Sequence, residues 1–146
     1  MSYAAQADLE LRYGAAELLA IADRDGDGIV DAGVVAAAVA DAEQLADSYL
    51  APRYATPLLA APAPLVAAVC DMARYKLYAN AREIPDHVKQ AWSDALKFLR
   101  DLSEGRAVLA GATSAAPANP QHGAQVVAPT RIFSPVVMRM PRPFSS

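Results

Sequence analysis

The residues best suited to chemistry form one acidic segment, DRDGDGIVD, at positions 23–31. Its spacing matches the start of an EF-hand loop, with aspartates at loop positions 1, 3, 5 and 9 and a glycine at position 6 for the sharp turn. Loop position 12, a bidentate Glu in an EF-hand, is Val34 here, so two of about seven oxygen ligands are missing. Two interpretations follow: a weak Ca²⁺ site, or an acidic turn between two helices that holds no metal. The candidate ligands are Asp23, Asp25, Asp27 and Asp31.

No other group of residues has the types and spacing of a catalytic site. Cys70 is the single cysteine, which excludes an internal disulfide and a cysteine-based zinc site, and no histidine can be placed beside it as a base. We expect Cys70 to be a small buried residue in the middle of a helix. The sequence also contains no glycine-rich phosphate loop and no serine elbow. It therefore predicts no catalytic residue and no enzyme activity.

A small basic and aromatic group surrounds Tyr75 and Tyr78 within one predicted helix. Cations interleaved with aromatic rings could bind nucleic acid. The outward face of a helix is a sufficient explanation of the same pattern, and the acidic composition disfavours a dedicated DNA-binding protein. A nucleic-acid accessory protein and a calcium-binding helical module with an incomplete loop stay open as alternative functions. The cations of this group are Arg74, Lys76 and Arg82.

Helical periodicity predicts five helices as the elements that position these groups. Hydrophobic residues make up 54% of the 146-residue chain, but 34 residues are alanine, which suits an all-α protein with thin helix contacts. The fold class is therefore a small bundle of about five helices with an extended C-terminal arm, which could include short β-strands. The helices are expected at about residues 5–13, 15–22, 32–51, 64–80 and 85–103.

Local signals set the ends of these helices. Gly14 and Gly105 are expected just past two helix ends, and the Asp31 side chain is expected to cap the third helix. The four prolines of residues 51–64 predict a stiff crossover. The predicted inward residues are Val35, Val39, Ala42, Ala46 and Tyr49 in the third helix, Leu65, Val69, Met72 and Ala73 in the fourth, and Val88, Trp92, Ala95, Leu99 and Leu102 in the fifth.

Charge and proline divide the chain into a body, residues 1–105, and an arm, residues 106–146. The body holds all 16 acidic residues against nine basic ones, a net charge of −7, whereas the arm has four arginines and no acid. Six of the 11 prolines also lie in the arm. Residues 130–144 carry more large apolar side chains than a disordered tail does, so we expect them to order on a partner. The predicted partner-binding residues are Arg131, Ile132, Phe133, Val136, Val137, Met138, Arg139 and Phe144.

Membrane and secreted proteins are excluded by the features that the sequence lacks. No apolar run reaches the roughly 18–20 residues of a membrane span. The N-terminal MSYAAQADLE has no basic region followed by an apolar one, as a signal peptide would. A single cysteine fits a protein made in a reducing cytoplasm, or used in a particle assembled there.

Three sequence elements stand in order along the body: the DRDGDG turn, DSYLAPRY at residues 47–54 and CDMARYKLY at residues 70–78. Their order resembles the Mu-like phage neck family, the small head–tail adaptor or head-completion proteins. The resemblance covers nearly all of residues 3–104, and it is specific because the three elements occur together. In the arm it depends mostly on Arg131, Phe133 and Ser134.

The resemblance implies a structural virion protein with no catalytic residues. By this resemblance, the chain is expected to be a helical subunit. About twelve copies would assemble as a ring beneath the portal and join the DNA-filled head to the tail. The implied partners are further copies of the chain, the portal protein and a tail-side neck or stopper protein. The implied location is the virion neck, after assembly in the host cytoplasm. A net acidic body fits a channel through which DNA passes without specific binding, and no cofactor is implied beyond the weak Ca²⁺ that the acidic loop could hold.

Overall fold

Five α-helices make up the protein in a computed structural model that describes residues 2–81 and 83–113. Each helix begins and ends within one residue of its predicted bounds, because the capping and proline signals at its ends are local. The prediction of a small all-α bundle is confirmed. The helices are α1 (Gln6–Tyr13), α2 (Ala15–Ala22), α3 (Ala32–Leu50), α4 (Ala63–Ala81) and α5 (Asp86–Glu104).

Glycine ends α5 as the sequence predicts. Gly105 has φ 78°, in the left-handed region that other residues rarely adopt. This conformation lets the Arg106 N–H donate back to the Asp101 carbonyl at 2.8 Å, which closes the last turn. A Cβ atom at Gly105 would also meet the guanidinium of Arg53, a flexible group that can move aside, so the left-handed φ is the reason that the position favours glycine.

The core forms where α4 packs between α3 and α5, with the α1–α2 pair covering one side of α3 and α4. Leu65, Val69 and Met72 of α4 are completely buried. The predicted inward residues are buried except Tyr49 and Trp92, which are half-buried. Beside Tyr49, Leu50 enters the core instead, at 0% exposure. None of the helices in the described ranges is both long enough and apolar enough to cross a lipid bilayer.

The chain after α5 returns to the body and packs on the crossover between α3 and α4. Leu109 is 4% exposed, and its N–H donates to the hydroxyl of the buried Tyr54 at 3.1 Å. The Ala55 N–H donates to the Thr113 carbonyl at 3.3 Å. Residues 106–113 therefore complete the core, although the sequence assigns them to the arm. The division of the whole chain at residue 105 stays a prediction, because the rest of the arm, residues 114–146, lies outside the described residues.

The segment before α1 is fixed to the body by Tyr3. The Tyr3 hydroxyl donates to Asp47 Oδ1 of α3 at 2.5 Å and accepts the Leu58 N–H of the crossover at 2.8 Å. The Tyr3 N–H also donates to the carboxylate of Glu43. One buried phenol therefore connects the N-terminal segment, α3 and the crossover.

Candidate functional sites

The acidic loop, residues 23–31, joins α2 to α3 and brings three of the four predicted metal ligands together. One carboxylate oxygen from each of Asp23, Asp25 and Asp27 lies within 4.8 Å of the other two. The fourth predicted ligand, Asp31, uses its Oδ2 to accept the Arg24 N–H at 2.9 Å. Asp31 occupies the N-cap position of α3, but its side chain makes no capping hydrogen bond there, so the prediction that its carboxylate caps α3 is wrong.

Hydrogen bonds within the acidic loop hold its shape. Asp23 accepts the N–H groups of Gly26 at 2.7 Å and Gly28 at 3.0 Å, and Asp27 accepts the N–H of Ile29 at 2.8 Å. The Asp27 N–H lowers the pKa of Asp25, but repulsion from the neighbouring carboxylates outweighs it, so this pKa lies above its usual value. A bound cation would relieve that repulsion. The geometry therefore fits both an acidic turn and a weak cation site.

The position of loop residue 12 shows why the cation site is incomplete. Val34 is half-buried and packs against the hydrophobic core from the first turn of α3. A carboxylate there would supply the missing bidentate ligand. The structure uses this position for packing instead.

The basic and aromatic group of α4 is not a free outward face. Arg74 forms an ion pair with Glu17 of α2, with 2.5 Å between a guanidinium nitrogen and Oε1, and lies 4.3 Å from the centre of the Tyr13 ring. Tyr78 also donates to Glu17, at 3.1 Å. The explanation of this group as the outward face of α4 is therefore wrong for Arg74 and Tyr78. The Arg74 guanidinium and the Tyr78 hydroxyl make contacts between helices. These two residues are therefore not available to the nucleic-acid surface that the sequence left open.

Burial also raises the pKa of the Tyr13 hydroxyl, which donates to Asp71 of α4 at 2.6 Å. We call Tyr13, Glu17, Asp71, Arg74 and Tyr78 the Arg74 cluster. It connects α1 and α2 to α4. The sequence alone does not predict this cluster, because its hydrogen-bonded partners are up to 61 positions apart and no local pattern pairs them.

Cys70 is fully buried in α4, as predicted. Burial raises the pKa of its thiol to about 11, so it is not a reactive thiolate at neutral pH. His87 is exposed at the start of α5, and its Nε2 lies 3.2 Å from a guanidinium nitrogen of Arg74. These positions give the described part of the chain no cysteine–histidine pair.

A shallow groove of about 290 Å³ runs along the seam between α4 and α5. Its floor is apolar, and two carboxylates stand at its sides. The sequence carries a signal for it in the spacing of its α4 residues, which lie three and four apart on one face. The α4–α5 groove is lined by Pro64, Ala67, Ala68, Asp71, Asp94, Ala95 and Phe98.

Large apolar side chains also face solvent on the body. Leu11 of α1 is 87% exposed and Leu59 of the crossover is 85% exposed. Val108, in the segment after α5, is 76% exposed. Exposed apolar side chains of this size mark candidate protein contacts when they lie together. The predicted partner-binding residues from Arg131 to Phe144 lie outside the described residues.

These features define a small helical protein. Its described residues provide candidate binding surfaces and one acidic loop, and among them no nucleophile lies beside a base. Residues 3–128 match the family described as Bacteriophage Mu, Gp36. The chain therefore belongs to the phage Mu Gp36 family. The expected resemblance to Mu-like phage proteins is confirmed.

Two relatives illustrate the family. Gene product J of Escherichia phage Mu is 30% identical over 107 residues, which cover 73% of this chain and 74% of the phage protein. The Mu-like prophage FluMu protein gp36 of Haemophilus influenzae is 38% identical over 76 residues, 52% of each chain. The chain thus spans about half the length of the Haemophilus protein in that match.

Proposed function

We propose that the protein is a structural component of the virion, a head–tail adaptor subunit without catalytic activity. The observation that carries the proposal is the match of residues 3–128 to the phage Mu Gp36 family. Copies of the chain form a ring of about twelve beneath the portal protein, at the virion neck, with a neck or stopper protein on the tail side. DNA passes through the ring without specific binding, since the net charge of the body is negative.

The surface of the body supports an assembly role. Leu11, Leu59 and Val108 expose most of their apolar area, so each offers an apolar contact that another chain could bury. The segment of residues 106–113 ends on the body beside the crossover, so the arm that follows starts from a fixed point. A fixed starting point suits a segment that must reach a defined neighbour.

A phage that lacks the protein tests this role. We expect host cells to accumulate DNA-filled heads and separate tails when the coding sequence carries a nonsense mutation, and the wild-type chain supplied in trans to restore joined particles. Electron microscopy of lysates distinguishes the outcomes. Joined particles in the mutant would refute the adaptor role. Heads that contain no DNA would instead indicate a role in packaging.

For the acidic loop, we propose a structural turn that binds Ca²⁺ only weakly. The observation that favours any binding is the approach of three carboxylates within 4.8 Å. Without the ligand at loop position 12, we expect a dissociation constant near 10⁻³ M, at the weak end of the roughly 10⁻⁹–10⁻³ M range of such loops. Isothermal titration calorimetry measures it.

Val34→Glu restores the missing ligand and should tighten Ca²⁺ binding at least roughly tenfold, because a bidentate carboxylate is added. Asp25→Asn in the same background is the matched control and should reverse much of the gain. A micromolar constant for the wild-type protein would favour a calcium-binding module. Equal affinities of wild type and Val34→Glu would show that the loop does not bind as an EF-hand does.

A further inference from the structure

The α4–α5 groove is open to another chain, although one of its lining residues, Asp71, also accepts the Tyr13 hydroxyl. Ala68 and Ala95 line the groove and are each 5% exposed, so they form its buried floor. Ala67 and Pro64 extend the floor along α4, and Phe98 forms a wall on α5. Because alanine side chains end at Cβ, the groove has room for large side chains from another segment.

The charge at the sides of the groove limits what can bind in it. Asp71 accepts the Tyr13 hydroxyl and Asp94 accepts Nε2 of Gln90 at 3.0 Å. Within the described part of the chain, neither carboxylate is in an ion pair, and the nearby Arg74 guanidinium is paired with Glu17. Two negative charges beside an apolar floor favour a segment that is both cationic and apolar.

We propose that residues 130–144 of a neighbouring copy of this chain bind in the α4–α5 groove. This segment has three arginines, no acidic residue and bulky side chains such as Ile132, Phe133 and Met138. Its arginines complement Asp71 and Asp94, and its bulky side chains match the alanine floor. The inference rests on the proposed ring, since a ring places a neighbouring body at a constant distance.

The length of the chain permits this contact. The described chain ends at Thr113 on the crossover, and 16 residues separate it from residue 130. Sixteen extended residues span about 50 Å, which exceeds the width of one small body. The connection contains prolines at positions 117, 120 and 129, a composition that favours an extended chain and hence a reach to the next subunit.

Cysteine cross-linking of the full-length protein tests the contact. Ala67→Cys places a thiol in the groove and Met138→Cys places one in the segment, while the native Cys70 is fully buried. The two variants are mixed, oxidised gently and examined by mass spectrometry. We expect disulfides that join position 67 of one chain to position 138 of another. Ala20→Cys, at an exposed position of α2, replaces Ala67→Cys in the control and should form few.

A charge change tests whether recognition is electrostatic. Asp94→Lys should reduce cross-linking roughly tenfold, because it replaces attraction of the arginines by repulsion. Asp94 is exposed, so the fold should tolerate this change. Glu83→Lys, another exposed acidic position, should leave cross-linking unchanged.

Three results would overturn the inference. The first is cross-linking at position 67 no stronger than at position 20. The second is a disulfide that forms within a doubly substituted Ala67→Cys, Met138→Cys chain while the mixed single variants form none, which would mean that the arm covers its own groove. The third is a protein that stays monomeric by native mass spectrometry at all concentrations. The phage nonsense mutant tests the adaptor role separately, so a phage that needs the protein, combined with absent cross-links, would refute only the groove contact.

Discussion

Arg74 connects three helices through one guanidinium group. Its Nε donates to Glu17 Oε1 of α2 at 2.6 Å, its plane lies over the Tyr13 ring of α1, and the residue itself belongs to α4. The side chains of Arg74 and Glu17 are only 11% and 25% exposed. Removal of either partner would leave the other charge poorly hydrated, which costs more than loss of a surface pair.

We therefore expect Arg74→Met to lower the free energy of unfolding by about 2 kcal/mol, within the range for hydrogen bonds to charged groups. Lys76→Met is the matched control on the same helix, because its pair with Asp41 is more exposed, and it should cost under about 1 kcal/mol. Urea denaturation followed by circular dichroism measures both. Equal losses would mean that the Arg74 cluster does not hold α1 and α2 on α4.

Single residues differ in how far the sequence predicts their surroundings. The burial of Cys70 is predictable, because its apolar neighbours in the helix fix which face it occupies. The pairing of Arg74 with Glu17 is not, since it depends on how the α1–α2 pair docks on α4. The clustering of three aspartates is predictable from their spacing in the loop. The hydrogen bond that Asp31 accepts from the Arg24 N–H is not, because that N–H competes for the carboxylate with the N–H groups at the start of α3.

At the scale of elements, two tyrosines attach the N-terminal part of the chain to the longer helices. Burial, and then the hydrogen bond to Asp47, raises the pKa of Tyr3 to about 12. Burial and the bond to Asp71 raise the pKa of Tyr13 as well. In both cases the folded protein favours the neutral phenol, because ionisation would place a negative charge beside a carboxylate.

The free energy of unfolding should therefore fall as the pH becomes alkaline. The folded-state pKa of Tyr3 is above the ordinary value of 10.0, so its contribution is complete below pH 10 and is lost as pH rises towards 12. Urea unfolding from pH 8 to 11.5 should show this decline. Tyr3→Phe should lower stability at pH 8, by loss of two hydrogen bonds, and flatten the decline.

Tyr49→Phe provides the comparison, because the Tyr49 hydroxyl has no partner among the described residues and sits on the same helix as Asp47. Its pH profile should follow the wild type. A Tyr3→Phe profile as steep as that of the wild type would show that ionisation of Tyr3 does not limit alkaline stability.

The helices and the segments between them differ in predictability for a physical reason. Helix ends are set by residues within one turn, so Gly14, Gly105 and the crossover prolines locate them from the sequence. The docking of residues 106–113 depends on contacts with the crossover about 55 positions earlier, such as Leu109 with Tyr54. The composition changes after α5, where acidic residues end and prolines become frequent. This change does not show at which residue the chain stops packing on the body.

At the scale of the whole molecule, residues 106–113 should behave as part of the body. At concentrations where both are monomeric, a chain that ends at residue 113 should unfold with the same free energy as the full chain. A chain that ends at residue 105 loses buried Leu109 and exposes Tyr54, which should cost about 2–3 kcal/mol. Leu109→Ala in the full-length protein is the matched control and should cost about 2 kcal/mol or more. Equal stability of the two truncated chains would contradict the packing of Leu109 against Tyr54.

Assembly should depend on the exposed apolar residues and not on the core face of α3. Val39 is 4% exposed and packs in the core, so Val39→Glu should unfold the protein and cannot report on contacts between chains. Leu59 is 85% exposed on the crossover, so Leu59→Asp should keep the helical circular dichroism and change the free energy of unfolding by less than about 0.5 kcal/mol.

The same Leu59→Asp change should nevertheless reduce the oligomer seen by native mass spectrometry, because it puts a charge into an apolar contact between chains. Ala20→Asp, at an exposed position of α2, serves as the control and should assemble as the wild type does. If Leu59→Asp assembles normally, the crossover faces solvent in the ring, and Leu11 of α1 becomes the next position to change. Helicity lost together with assembly would instead show that Leu59 supports the fold, which its exposure argues against.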